Sequence, residues 1–197
     1  MSTGKQADKD RVQSLFKTID ANRDQLIETT VDLLKIPTFN PPGDNYLEIC
    51  EHIETRLQPS GFETIKLRAE GALGDSDKYP RWNVIARHEG AQPGPCVHFN
   101  AHTDIVALGE GWTKDPFGGD VEADRIYGRG SCDMKGGLAA AIIAAEAFIS
   151  TVPNYAGSIE ISGTADEETG GFGGVAWLAE KGYFDPDRLI MSSSRSR

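Results

Sequence analysis

The chain has 197 residues, 39% of them hydrophobic and 25% charged, with a formal net charge of -10. This is the composition of a soluble globular protein. Its acidic balance argues against a partner such as nucleic acid or an anionic membrane, which needs clustered lysine and arginine. No stretch reaches the roughly 20 apolar residues of a membrane span. The polar start MSTGKQADKD lacks the apolar core of a leader. Cys50, Cys96 and Cys132 are odd in number and scattered, which suits free thiols in a reducing cytoplasm.

Apolar Val12, Leu15, Phe16, Ile19, Leu26, Ile27, Val31 and Leu34 recur at helical spacing and predict a helix over 8–36, ended by Pro37. TFNPPGDN follows as a turn-rich connector. A second helix is expected from about Tyr46 to Leu57, with Gly61 beyond its end. Phe62 to Leu67 alternates as a strand, and AEGALGDSDKYP is a polar loop. Asn83 to Ala86 and Cys96 to Phe99 read as short strands separated by the turn EGAQPGP. After His102-Thr103-Asp104 come a long loop, a hairpin-like strand near Val121 to Tyr127 and the glycine loop GRGSCDMKGG. A helix from about Lys135 to Ser150, a strand from Ser158 to Gly163, the segment TADEETGG, a helix near Val175 to Lys181 and a strand at Leu189 to Met191 complete the order. Strands alternating with helices predict an α/β fold, a mixed β-sheet flanked by helices over residues 1–191, with an atypical Ser/Arg tail at 192–197. In such sheets ligands bind beyond the carboxyl ends of the strands, and all three acidic clusters are expected at such exits.

The clusters carry the chemistry. If the strand continues through His102 and Asp104, both side chains share a face, so the imidazole can bind a metal while Asp104 fixes its tautomer. The plainer reading is a strand-end histidine beside a turn-forming aspartate. Asp133 lies among glycines that allow sharp turns, and it reads either as a metal ligand or as a helix cap. It also stands where a phosphate-binding GxGxxG loop wants its third glycine, so nucleotide binding is disfavoured. Glu167 and Glu168, directly after a strand, should point to opposite sides. They repel unless cations neutralise them, or they form a solvated acidic turn. Together, one imidazole and several carboxylates leaving strand ends suit a hydrolytic zinc site. His52, His88 and His98 receive no role, and Met134, Trp112 and Phe117 read as loop packing.

From about Leu26 to Met191 the chain resembles the M20 metallopeptidase family, through HTDIV, Trp112 with Asp115-Pro116-Phe117, RIYGRGSCDMKGG and GTADEETGG in that order. It looks closest to the acetylornithine deacetylase and succinyl-diaminopimelate desuccinylase branch. The resemblance implies two zinc ions, with Co2+ or Mn2+ as substitutes. His102 would bind the first, Asp133 would bridge both through a segment with a cis Asp133–Met134 bond, and Glu168 would bind the second. Asp104 would hold His102 and Glu167 would be the general base. The implied reaction is hydrolysis of a small N-acyl amino acid or peptide-like substrate at its amide bond. M20 dipeptidase or carboxypeptidase specificity and a non-catalytic metal-binding remnant remain as alternatives. Family members run to about twice this length, with a lid domain used for homodimerisation and a further carboxylate after the strand matching Leu189–Met191, where this chain has Ser192-Ser193-Ser194. The chain is therefore expected to be the N-terminal part of a catalytic domain, without the lid and incomplete in its metal ligands.

Overall fold

The computed structural model describes residues 2–184 and 189–192. In chain order the elements are α1 (Ser2–Ala21), α2 (Arg23–Leu34), α3 (Tyr46–Leu57), β1 (Glu63–Arg68), β2 (Trp82–Glu89), β3 (Gln92–His102), β4 (Asp120–Glu122), β5 (Arg125–Tyr127), α4 (Gly136–Thr151), β6 (Ala156–Thr164), α5 (Val175–Glu180) and β7 (Leu189–Ser192). Residues 193–197 of the Ser/Arg tail, including two of the serines where a further carboxylate was expected, lie outside the described residues.

The five-stranded sheet has the order β1-β2-β6-β3-β7. β1, β2 and β6 pair antiparallel, while β3 runs parallel to both β6 and β7, so the sheet is mixed as expected. β4 and β5 form a separate two-stranded ribbon. α4 contacts β3 and β6 on one side and α1 and α2 on the other. Its sequence GGLAAAIIAAEAFIST explains this position: a helix apolar nearly all round must be enclosed, and its alanines let neighbours come close. Leu138, Ala139, Ile142, Ile143, Ala145 and Ala147 are all buried. The main core joins α4 to Ile49, Ile53 and Leu57 of α3 and to Val84, Ala86, Ala101, Ile159 and Ile161 of the sheet.

The structure departs from the sequence reading in two elements. The first helix is two helices, because Asn22 at φ -92 and ψ 15 occupies the bridge region between them. Apolar spacing cannot register such a break, since it continues in phase on both sides. The turn EGAQPGP is largely strand, since β3 already begins at Gln92, with a shift of register against β6 between Gln92 and Cys96. Gly157 makes this possible: at φ +93, a Cβ there would lie 2.0 Å from the Pro95 carbonyl oxygen.

Ile142, buried between the sheet and the outer helices, tests this layering. Ile142→Ala is expected to lower the unfolding free energy by about 2–5 kcal/mol, read as a lower urea midpoint at unchanged slope. A loss within the range of a surface substitution, about 0.5 kcal/mol, would contradict the enclosure of α4.

Candidate metal centre

The site forms because β3 and β6 are adjacent and parallel. His102, the last residue of β3, stands opposite Thr164, the last residue of β6. The two chains leave the sheet side by side, and Thr103 N still donates to Thr164 O at 2.8 Å. Beyond this point β3 does not continue. Residues 103–105 lie alongside the connector after α2, where Phe39 and Ile105 form a parallel bridge, with Ile105 N donating to Thr38 O and Asn40 N donating to Ile105 O, both at 2.9 Å. Asp104 lies just past the end of β3, between His102 and this connector.

The Asp104 carboxylate is fully buried. It accepts from Asn40 Nδ2 at 2.9 Å, from Glu167 N at 3.2 Å and from Glu168 N at 3.1 Å. His102 Nδ1 lies 3.1 Å from the Asp104 carbonyl oxygen and 3.4 Å from its Oδ1. Burial by itself would raise this carboxyl, but the donors from His102, Asn40 and Glu168 outweigh it and hold the group below its usual range. Nδ1 lies toward Asp104, and Nε2 faces the other acids.

The glycine loop arrives from elsewhere. It follows β5 of the small ribbon, not a strand of the main sheet, which corrects the expectation that all three clusters exit one sheet. Met134 anchors it: the buried thioether accepts from His102 N at 3.3 Å. The Asp133–Met134 peptide is cis, as the resemblance implies. Asp133 makes no helix-capping bond, since α4 starts only at Gly136 and its first turn has no side-chain cap. Asp133 Oδ1 sits 3.0 Å from His102 Nε2. Lys135 is wholly buried and donates to Leu33 O and Ile36 O, which ties the loop to the end of α2. Burial brings its ammonium down to about 7.

Glu167 and Glu168 do not straddle an extended segment. They lie in a single 3-10 turn, Glu167–Thr169, entered through Asp166 at φ 64, and this turn carries both carboxylates toward His102. One ligand atom each from His102, Glu167 and Glu168 fall within 4.8 Å of one another, and Glu167 Oε2 is 3.8 Å from His102 Nε2. Thus all five residues singled out in the sequence converge. His102 and Asp104 are buried, while the side chains of Asp133 and Glu167 remain 54% and 48% exposed and so open to solvent. Burial, followed by the nearby carboxylates, pushes the Glu168 carboxyl up.

This donor set fits a metal ion. Imidazole nitrogen and carboxylate oxygens suit zinc, manganese or cobalt, and Asp133, Glu167 and Glu168 have no lysine or arginine ion pair among the described residues. Concentrated negative charge of this kind is relieved by a cation. Asn40 was missed in the sequence, where it reads only as a turn residue before Pro41. It is buried, bridges Asp104 to Thr169 Oγ1 and leaves its own Oδ1 without a partner. Of the other histidines, His88 bonds the Tyr155 hydroxyl, and His98 is buried beside Ser162 within the sheet.

The imidazole provides a pH test. Burial alone would lower His102, but the carboxylates of Asp104 and Asp133 outweigh it and hold the ring up at about 9. A folded value above the unfolded 6.5 contributes stability that is full below about pH 6.5 and lost as pH rises through about 9. Lys135 acts in the opposite sense, because its depressed folded value imposes a penalty that is relieved as pH rises from about 7 toward 10.5. Comparison of chelator-treated wild type with His102→Gln separates the two. The wild-type advantage in melting temperature is expected to shrink between pH 6.5 and 9, and an advantage that grows with pH would contradict the His102 assignment.

Residues 98–195 match the peptidase family M20/M25/M40. The chain is 41% identical over 164 residues to the succinyl-diaminopimelate desuccinylase of Gluconobacter oxydans (strain 621H), covering 81% of this chain and 40% of the relative. It is 35% identical over 161 residues to the desuccinylase of Acinetobacter baumannii (strain ACICU), covering 81% and 39%. A di-peptidase structure from Saccharomyces cerevisiae superposes with a TM-score of 0.79 at 17% identity, over 93% of this chain and 41% of that one. A dinuclear metal-binding peptidase of the M20 family from Bacillus subtilis does so with a TM-score of 0.60 at 20% identity, over 88% and 43%. These structural likenesses speak to the fold. The chain spans about 40% of the length of the curated relatives it matches. With its motifs, its mixed sheet and its matched residues in agreement, the chain belongs to the peptidase family M20/M25/M40.

Proposed function

We propose that this chain carries the metal-binding and proton-transfer residues of a metal-dependent hydrolase that removes an N-acyl group, of the succinyl class, from an amino acid. The observation that carries this reading is the convergence of His102, Glu167 and Glu168 within 4.8 Å, with Asp133 at the same imidazole nitrogen. The substrate class follows the desuccinylases to which the chain is similar.

His102 would hold one ion through Nε2, Asp133 would lie between two ions, and Glu168 would hold the other. Zinc is the proposed metal, with cobalt or manganese as substitutes. Bound ions would supply Lewis-acid polarisation of the amide carbonyl and ease the deprotonation of water at neutral pH. Asp104, bonded to His102 and to the backbone of both glutamates, keeps the ligands in place. Glu167, exposed and adjacent to the cluster, takes the proton of the attacking water. It then passes that proton to the amide nitrogen as the C–N bond breaks, leaving a carboxylate and a free amine. The three free cysteines support a reducing compartment such as the cytoplasm. No helix among the described residues is long and apolar enough to cross a membrane.

Elemental analysis of the purified chain, with succinate release from an N-succinyl amino acid, tests the assignment. Glu167→Gln is expected to lower turnover by about 10²–10⁴-fold with metal content retained. Asp133→Asn and His102→Gln should lower metal content itself. Loss of metal in Glu167→Gln, with retention in Asp133→Asn, would reverse the two roles. A wild-type chain that takes up no metal would overturn the reading.

A further inference from the structure

Arg81 lies in no motif, and it is the most enclosed arginine near the site, with 5% exposure. Its Nε donates to Asp166 Oδ2 at 3.1 Å and lies 2.9 Å from Oδ1 of the same carboxylate. Its Nη1 donates to Pro42 O at 2.7 Å and to Tyr79 O at 3.0 Å. Three glycines from separate segments leave it room. A Cβ on Gly43 would lie 2.0 Å from Nη1, one on Gly74 would lie 2.6 Å from Nη2, and one on Gly173 would lie 2.6 Å from Cγ. Tyr46 completes the enclosure, with its ring 5.7 Å from the guanidinium carbon.

Asp166 is held from every side. Its carboxylate also accepts from Tyr46 Oη at 3.1 Å and from Gly173 N at 3.2 Å, and its own N donates back to Tyr46 Oη at 3.0 Å. Asp166 is the left-handed residue through which the chain enters the turn of Glu167 and Glu168. The orientation of this residue directs the next two backbone N–H groups toward Asp104 and both glutamates toward His102.

We propose that Arg81, together with Tyr46, acts through Asp166 as a positioning residue that sets the turn presenting Glu167 and Glu168 to the metal centre. This rests on the metal-centre reading above. A planar guanidinium is suited to the task because one side chain can grip a carboxylate and two carbonyls in fixed directions. Lysine, a point charge on a flexible stem, would keep the charge and lose the directions.

The test is a Co2+ titration of the 197-residue chain, read by the visible absorption band of the bound ion, with circular dichroism and urea midpoint recorded on the same samples. The proteins are wild type, Arg81→Lys, Arg81→Met, Tyr46→Phe and Glu168→Gln. Arg81→Met is expected to weaken Co2+ binding by about 10–100-fold, the range for residues that orient ligands, and to change the band shape. Arg81→Lys should recover part of this loss. If Arg81→Met fails to fold, Tyr46→Phe decides, with a several-fold weakening expected. Wild-type affinity and band shape in the folded Arg81 variants, despite a lower urea midpoint, would reduce Arg81 to a stabilising role and overturn the proposal. The same result in Tyr46→Phe would do so if the Arg81→Met protein cannot be read. A band present in wild type, lost in Glu168→Gln and intact in Arg81→Met would overturn this inference alone. No band in wild type would overturn it together with the metal-centre reading.

Discussion

The buried carboxylate of Asp104 is the group on which the site depends. It joins three segments that are far apart in the chain: Asn40 after α2, His102 at the end of β3, and the backbone of Glu167 and Glu168 after β6. A buried charge is tolerated only when it is amply hydrogen-bonded, and here the bonds that satisfy it also build the centre. The same interactions that hold Asp104 ionised orient His102 and draw in the glutamate turn. Stability and chemistry are therefore coupled at one residue.

This coupling rests on sheet topology. β6 enters between β2 and β3, so a strand late in the sequence lies beside the strand that carries His102. Parallel pairing brings both carboxyl ends to one edge. Had β6 joined the sheet at the other side of β2, the same residues would be separated by a strand's width or more. The enclosed α4 stabilises this order, since its apolar surface is satisfied only between the parallel pair and the outer helices.

The acid cluster is unusual for how its charges are balanced. Asp166, just outside it, has Arg81 as a close partner, while Asp133, Glu167 and Glu168 have no lysine or arginine ion pair among the described residues. Two neighbouring groups of carboxylates are thus treated differently. One is paired within the protein, and the other, among the described residues, has no lysine or arginine partner, as the proposed metal centre requires. That division is what a metal site requires, because a resident lysine or arginine would compete with the ion for the same oxygens.

Much of this was legible from residue types and spacing. The alternation of elements indicated a mixed sheet with helices, and glycines and acids after apolar runs marked His102, Asp104, Asp133, Glu167 and Glu168, because turns and carboxylates leave local signatures. Asn40, Arg81, Tyr46 and Asp166 left none that pointed to a site. Asn40 resembles any turn residue, and Arg81 any polar loop residue, since their roles depend on partners 64 and 85 positions away. The break at Asn22 and the bulged start of β3 were hidden for a related reason: in-phase apolar spacing and turn-like Pro-Gly composition are each compatible with two backbones. The sequence by itself determined which chemistry was available and roughly where each element lay. Only the tertiary structure decided that Asp133 arrives from a separate ribbon, that Glu167 and Glu168 share one turn, and that one buried carboxylate joins this turn to His102. Those outcomes follow from strand order and long-range hydrogen bonds, which no local pattern encodes.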